Sequence, residues 1–167
     1  MKDNLKTLVM TVLALFCFAT LQSCNDDDDV TITPPSEVVN AFNAQYPDAV
    51  NPKWEMILTS YEVEFYFTGT ATDWNIQLTN VEAEAFYTNS GKWIRTEFDV
   101  KNCMNDLNVI PVAVQATIAA QVKDNMNLVD DLKIIDWADK NDYYLLEVDA
   151  EPEDIQVMIN REGGNIY

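Results

Sequence analysis

The chain contains no histidine. Imidazole is the usual general base near neutral pH, the commonest nitrogen ligand of zinc and the centre of Ser-His-Asp chemistry, so its absence removes all three. Basic side chains are scarce too: 10 Lys and Arg stand against 28 Asp and Glu, a formal charge of -18. Such a surface repels phosphate backbones, which argues against DNA or RNA as a partner. The 4 glycines form no phosphate-cradling loop, and no Ser or Cys has a base placed to activate it. What is present suits a folded protein: 167 residues, 48% hydrophobic and 11% aromatic, can bury a core in one domain or two small ones. The acid excess reads either as solubility at a crowded cell surface or as a face for a basic partner.

The first 23 residues read as an export signal. Lys2 and Lys6 give a basic start, and the apolar run from Leu8 to Leu21 is broken only by Thr11 and Thr20. That run is shorter than the roughly 20 apolar residues a spanning helix needs. It ends in Leu21-Gln22-Ser23-Cys24, which resembles the lipobox of bacterial lipoproteins. The resemblance implies cleavage before Cys24 and lipidation of Cys24. Such an anchor is firm, because each buried methylene contributes about 0.8 kcal/mol and more than one chain inserts. The alternative is an ordinary secretory signal with an incidental cysteine. With residues 1–23 removed, 8 basic side chains face 27 acidic ones, a net charge of -19. Cys103 then has no intramolecular disulfide partner and reads as a small half-buried hydrophobe or a reactive thiol.

Residues 24–35 read as a lipidated, solvated tether. Asp26-Asp27-Asp28-Asp29 are adjacent carboxylates that repel one another and cannot pack. They lack the spaced ligands and the Gly turn of a calcium loop. The run resembles the acidic signal that follows the lipidated cysteine in Bacteroidetes lipoproteins bound for the outer face of the outer membrane. The location this implies is the cell surface or, failing that, the periplasmic side.

Folded structure is expected from Ser36, an N-cap after two prolines, with Val38, Val39, Phe42 and Tyr46 on one helical stripe and Pro47 ending it. A strand carrying Trp54, Met56 and Leu58 follows. Tyr61 to Phe67 then alternates, setting Tyr61, Val63, Phe65 and Phe67 against Glu62, Glu64 and Tyr66. Trp74 to Leu78 reads as a further strand. Val81, Ala83, Ala85 and Tyr87 oppose Glu82, Glu84 and Phe86, and Asn89-Ser90-Gly91 turns into a strand with Trp93, Arg95 and Glu97 on one side. After a polar connector at 101–108, Pro111 opens a second helix with Val114, Ile118 and Val122 at fourfold spacing. Strands 132–138, 143–150 and 155–159 follow, then a Gly163-Gly164 turn and a short end at 165–167. The order of helix and strands has recurred, giving a first unit at 36–100 and a second at 109–167.

The segments Ser36 to Ala49, Pro52-Lys53-Trp54-Glu55, Tyr61 to Phe65, Tyr87 to Trp93 and Ile110 to Val114 resemble the PepSY-like family of Bacteroidetes exported proteins, related in architecture to the beta-lactamase inhibitory protein. The chain departs from the pattern in about eleven residues inserted at Thr70 to Asn80 and in lacking the Tyr-Pro helix end in its second unit. The fold implied is α+β: two tandem helix-plus-antiparallel-strand repeats forming one continuous antiparallel sheet with helices on one face.

Paired carboxylates are the remaining catalytic material. Glu62 with Glu64, and Glu82 with Glu84, stand about 6.6 Å apart along a strand, a spacing glycosidase pairs span. The alternation places all four on the wet face, where neither acid of a pair is desolvated as acid catalysis requires. Between Asp136 and Glu147 the acids have calcium-loop spacing, but Ala138, Lys140 and Asn141 occupy ligand and glycine positions. No cofactor or metal is expected. The same face carries aromatics among its acids: Tyr66, Phe86, Trp93 and Tyr143, with Leu145, Met158 and Glu147, a mixture typical of binding surfaces. Scattered exposed residues are the plain alternative. The sequence therefore points to a lipid-anchored, non-catalytic binding module whose site residues are Tyr66, Phe86, Trp93, Tyr143, Glu62, Glu64, Glu82 and Glu84. Its partner would be a protein or peptide, with inhibition of an exported enzyme as one version. An envelope assembly or display lipoprotein is the alternative, and the oligomeric state stays open because sheet edges can self-associate.

Overall fold

Strict alternation of apolar and polar residues is the signature of a sheet buried on one side, and the fold is built on it. The computed structural model describes residues 32–166. The leader, Cys24 and the Asp26 to Asp29 run lie outside the described residues. The elements in chain order are α1 (Ser36–Gln45), β1 (Val50–Ile57), β2 (Ser60–Ala71), β3 (Ile76–Thr88), β4 (Trp93–Asp99), α2 (Val112–Gln121), β5 (Val129–Trp137), β6 (Tyr143–Val148) and β7 (Ile155–Ile159). The strands form one seven-stranded sheet in sequence order, and every neighbouring pair is antiparallel. The α+β class expected from the pattern is what forms.

The register explains why the sheet has two unlike faces. Phe65 pairs with Ala83, Ala83 with Phe98, Phe98 with Ile134, Ile134 with Tyr144 and Tyr144 with Ile159, a single row across six strands. No member of this row is more than 1% exposed. Both helices join the same core, α1 through Val38 and Phe42 and α2 through Val114 and Ile118. Phe42 sets its ring edge-on against Trp54 at 5.4 Å, Phe65 at 5.1 Å and Tyr87 at 6.4 Å. Aromatic pairs of this geometry add about 0.5–1.5 kcal/mol each beyond area burial.

Several boundaries differ from the sequence expectation, each for a local reason. Pro35, not Ser36, is the N-cap of α1, since its extended φ of -55° and ψ of 149° already turn the chain into the helix. Pro34 is buried, so packing starts before residue 36. Trp74 to Leu78 is not a separate strand. The segment 70–80 lengthens the β2–β3 hairpin: Thr70 pairs with Gln77 and Ala71 with Ile76 beyond a register shift between Phe67 and Gly69. Ala71, Ile76 and Leu78 are buried in the main core, so the extra residues cover the helix side of the sheet. At the other end, 165–167 adds only an isolated bridge between Asn165 and Ile159.

Each helix is also pinned by a glycine from a distant turn. Gly91, at φ 77°, lies so close to α1 that a methyl group there would stand 2.6 Å from the Glu37 carbonyl oxygen. Gly163, at φ 84°, is the same distance class from α2, 2.5 Å from the Ala113 carbonyl oxygen. Both positions combine a left-handed backbone with no room for a side chain. Gly91→Ala and Gly163→Ala are each expected to lower the free energy of unfolding by about 2–4 kcal/mol. A urea denaturation midpoint equal to that of the unchanged protein would contradict this packing.

Candidate functional site: the open face of the sheet

The face away from the core follows from the same register. Lys53, Glu64, Glu84, Glu97, Ile135 and Tyr143 form one cross-strand row. Asp99, Lys133, Leu145 and Met158 form another, and Tyr66 stands opposite Glu82. Like charges directly opposite one another are destabilising in a sheet, and Glu64, Glu84 and Glu97 are adjacent in one row. Lys133 relieves them. Its Nζ lies 3.4 Å from Glu84, 3.4 Å from Glu97 and 3.9 Å from Asp131. Burial works against the Lys133 charge, but these carboxylates outweigh it and raise its pKa. Glu82, Glu84, Glu97, Asp99, Asp131 and Lys133 line a shallow depression of about 230 Å³.

Among the sequence-predicted residues, Glu62, Glu64, Tyr66, Glu82, Glu84 and Tyr143 share this face, as do Leu145, Glu147 and Met158. Tyr66 and Glu82 are exposed, and Glu62, Glu64, Glu84 and Tyr143 are half-buried. Trp93 is a correction. Phe86 pairs with Arg95 but Tyr87 pairs with Trp93, so Ile94 is an extra residue on β4. A bulge of this kind inverts the side-chain parity of what precedes it. Trp93 therefore packs on the main core and donates from Nε1 to Thr96 Oγ1 at 3.0 Å. Thr96 Oγ1 is hydrogen-bonded in turn to the Tyr46 hydroxyl at 2.7 Å. Gln45 Nε2 donates to that hydroxyl at 3.2 Å, and Tyr87 donates to Gln45 Oε1 at 3.0 Å. The network ties α1 to β3 and β4, and burial pushes the Tyr46 and Tyr87 hydroxyls well above their ordinary pKa.

Phe86 is a second correction. It lies on the open face by register yet is only 8% exposed. The Arg95 guanidinium, on the neighbouring strand, sits 3.8 Å from its ring centroid and is held there by Glu97 at 2.7 Å. Stacked cations of this kind contribute about 0.5–2 kcal/mol. Ile135 is likewise buried at 2% while lying outside the main core.

Sequence reasoning did not place Lys133, Ile135 and Trp137 on this face. Trp137 has Arg95 at 5.4 Å and Lys140 at 4.0 Å from its ring. The period of two along β5, read outward from the β5–β6 turn, was the signal that would have placed them beside Tyr143.

The expectation that every carboxylate here is fully solvated also fails. Glu62 is pushed up to about 7, first by burial and then by the carboxylates of Glu84, Glu55 and Glu97. Glu82 is raised by its hydrogen bond to Glu64 and, after that, by desolvation. A carboxyl raised this far is acid material, but Glu62 does not line the depression. Among the described residues no group of three or more Cys, Asp or Glu is arranged to hold a metal ion.

No protein-family model matches the chain, and no curated protein matches it. Solved structures do. A BLIP-like protein from Bacteroides fragilis is similar with a TM-score of 0.65 at 22% identity, over 85% of this chain and 89% of that one. A protein of Bacteroides eggerthii described as a candidate periplasmic protein gives a TM-score of 0.63 at 17% identity, over 81% and 88%. A DUF2874 family protein from Bacteroides ovatus gives 0.64 at 17%, over 81% and 86%. The likeness is one of architecture: the chain has a BLIP-like fold.

The raised Glu62 makes stability depend on pH. Below about 4.5, its ordinary value, the folded and unfolded chains both hold the proton and nothing is lost. Between there and about 7 the folded chain keeps a proton that the unfolded chain has shed, so stability falls as pH rises, and then levels off. Glu62→Gln is expected to flatten part of that slope and to raise the melting temperature at pH 8 by about 2–4 °C. Thermal melts from pH 4 to 8 check this, and an unchanged slope would rule it out.

Proposed function

We propose that the chain is a lipid-anchored, extracytoplasmic binding module without catalytic activity, which recognises a protein or peptide through the open face of its sheet. The observation that carries this reading is the face itself. It is uncovered by either helix, and it presents Tyr66, Tyr143, Leu145 and Met158 among Glu62, Glu64, Glu82 and Glu84. Aromatic anchors inside a charged rim are how interfaces divide affinity from specificity. Inhibition or restraint of an exported enzyme is one form of the reading, supported by the BLIP-like architecture. A lipid on Cys24 and the acidic run after it would hold the module at the outer membrane, facing the medium or the periplasm; a candidate periplasmic protein with the same fold supports export.

We further read the chain as two copies of one PepSY-like unit. In each, a proline caps a ten-residue helix with φ near -55° and ψ near 150°. The third and seventh helical residues are buried, Val38 and Phe42 in one and Val114 and Ile118 in the other. A turn glycine meets the carbonyl of the second helical residue in both.

A second reading, assembly or display in the envelope, is favoured by the sheet's edge. β1 is terminal in the sheet, and Val50, Met56, Ile57 and Leu58 at its two ends are 54%, 48%, 43% and 91% exposed. Unpaired edges of this kind template self-association.

Capture from detergent-solubilised envelope with the full chain as bait separates the readings. Under the first, Tyr66→Ala combined with Tyr143→Ala is expected to reduce recovery of a specific protein at least tenfold, while Leu58→Asp leaves it unchanged. Under the second, Leu58→Asp disperses oligomers on a sizing column and the tyrosine pair has no effect. Equal recovery with all variants would defeat the open-face reading.

A further inference from the structure

The tip of the β1–β2 hairpin carries apolar residues that the fold does not use. Ile57 pairs with Ser60, which leaves Leu58 and Thr59 as the turn. Leu58 takes the left-handed backbone, at φ 56°, and is 91% exposed. A bulky side chain is strained there, whereas glycine or asparagine sits at little cost. Packing does not offset the strain, since the side chain is almost wholly in solvent. Met56 and Ile57 beside it are exposed as well. Three consecutive apolar residues are thus held outward at a point where the backbone favours something else.

The topology sets this tip beside the place where the chain enters the fold. Ser60 pairs with Thr88 and Tyr61 with Tyr87, so the β1–β2 and β3–β4 turns are neighbours at one end of the sheet. Gly91, in the β3–β4 turn, abuts the Glu37 carbonyl in the first turn of α1. From there α1 runs towards the other end, where Tyr46 and Pro47 line a small cavity with Phe67 and Gly69. Charge follows the same division. Met56 to Tyr61 and Ala85 to Gly91 carry no charged residue, and Lys92 follows the second stretch. Alternate turns of a sheet strung in sequence order lie at alternate ends, which puts the β6–β7 turn, with Asp149, Glu151, Glu153 and Asp154, at the far end. The β5–β6 turn shares the near end but stands four strand spacings, about 19 Å, from the tip.

We propose that the β1–β2 tip is a membrane contact: Met56, Ile57 and Leu58 enter the headgroup region of the bilayer that holds the lipid on Cys24. This contact rests on the Cys24 anchor proposed above. The twelve residues from Cys24 to Ser36 reach at most about 43 Å. Seating the far end instead would add the eight residues of β1, about 27 Å, to what they must span. Three apolar side chains are too few to hold a bilayer alone, but a short tether presents them at an effective concentration on the order of millimolar. An end without acidic turns also lets a chain of net charge -19 approach headgroups that its other turns would be repelled by. With this end down the strands stand on the surface, and the open face looks sideways, clear of the lipid.

The full lipidated chain in phosphatidylcholine vesicles, brominated high on the acyl chains, tests the contact by tryptophan fluorescence. A tip seated about 5–10 Å into the headgroup boundary brings the ring of Leu58→Trp to the bromines, and about half of the emission it adds over the unchanged protein is expected to be quenched. Glu153→Trp, in the β6–β7 turn, is expected to keep its added emission. Should Leu58→Trp disturb the turn, Met56→Trp on β1 carries the same expectation. Variants that float with the vesicles and are quenched no more than Glu153→Trp overturn the contact and leave the anchor standing. A chain that carries no acyl mass and does not float overturns both. Oligomers in detergent that Leu58→Asp disperses, with Met56→Trp unquenched in vesicles, would assign the tip to a second copy and overturn the membrane contact.

Discussion

The row from Phe65 to Ile159 is the constraint from which the rest follows. Six neighbouring strands each place one fully buried side chain in it, and side-chain period is two. Once that row is fixed, the residues beside it are fixed on the opposite face. Glu64, Glu84 and Glu97 stand next to one another because Phe65, Ala83 and Phe98 do. A slip of one residue would bury the acids and expose the core, so the register is held far more strongly than the repulsion between carboxylates opposes it. The crowding that lifts Glu62 is therefore imposed by the core on the far side of the same strands.

Local devices then adjust what the register would deliver. The extra residue at Ile94 takes Trp93 off the open face and makes it a donor to Thr96, where it helps close the chain of hydrogen bonds through Tyr46, Gln45 and Tyr87. Arg95, just beyond the bulge, covers Phe86 and pairs with Glu97. Two of the aromatics that alternation assigns to a binding surface are thus absorbed into structure. Tyr66, Tyr143 and the acids are what that face still presents to solvent.

Most of the fold was legible from the residues, because alternation on β2, β3 and β6 and the proline-led helices are single-strand and single-helix signals. The faces of Val63, Phe65, Ala83, Ala85, Leu146 and Glu64 follow from counting by two. Trp93 was not legible, since a bulge is decided by pairing between strands and leaves no mark in the order Trp93-Ile94-Arg95. The covering of Phe86 required knowing that Arg95 lies opposite it. The raised pKa of Glu62 comes from burial and then from the charges of Glu84, Glu55 and Glu97 on three other strands. The segment 70–80 could be recognised as additional, but its destination, with Trp74 laid against Tyr144, is a tertiary fact. Where the pattern failed, the missing information was which residues face each other across strands.

The two turn glycines bear on the order in which the molecule is made. Each helix is seated against a glycine that follows it by roughly fifty residues, so neither seat exists when its helix is first made. Contacts this distant in sequence are slow to form, because the loop between them must close first. Each half therefore closes only after its own last hairpin has turned, and the helix waits on the strands, with Phe42 or Ile118 still unhoused in the meantime. The interval between synthesis of a helix and its closure is when the apolar surface of this chain is most exposed, and its length is set by where those two glycines stand in the sequence.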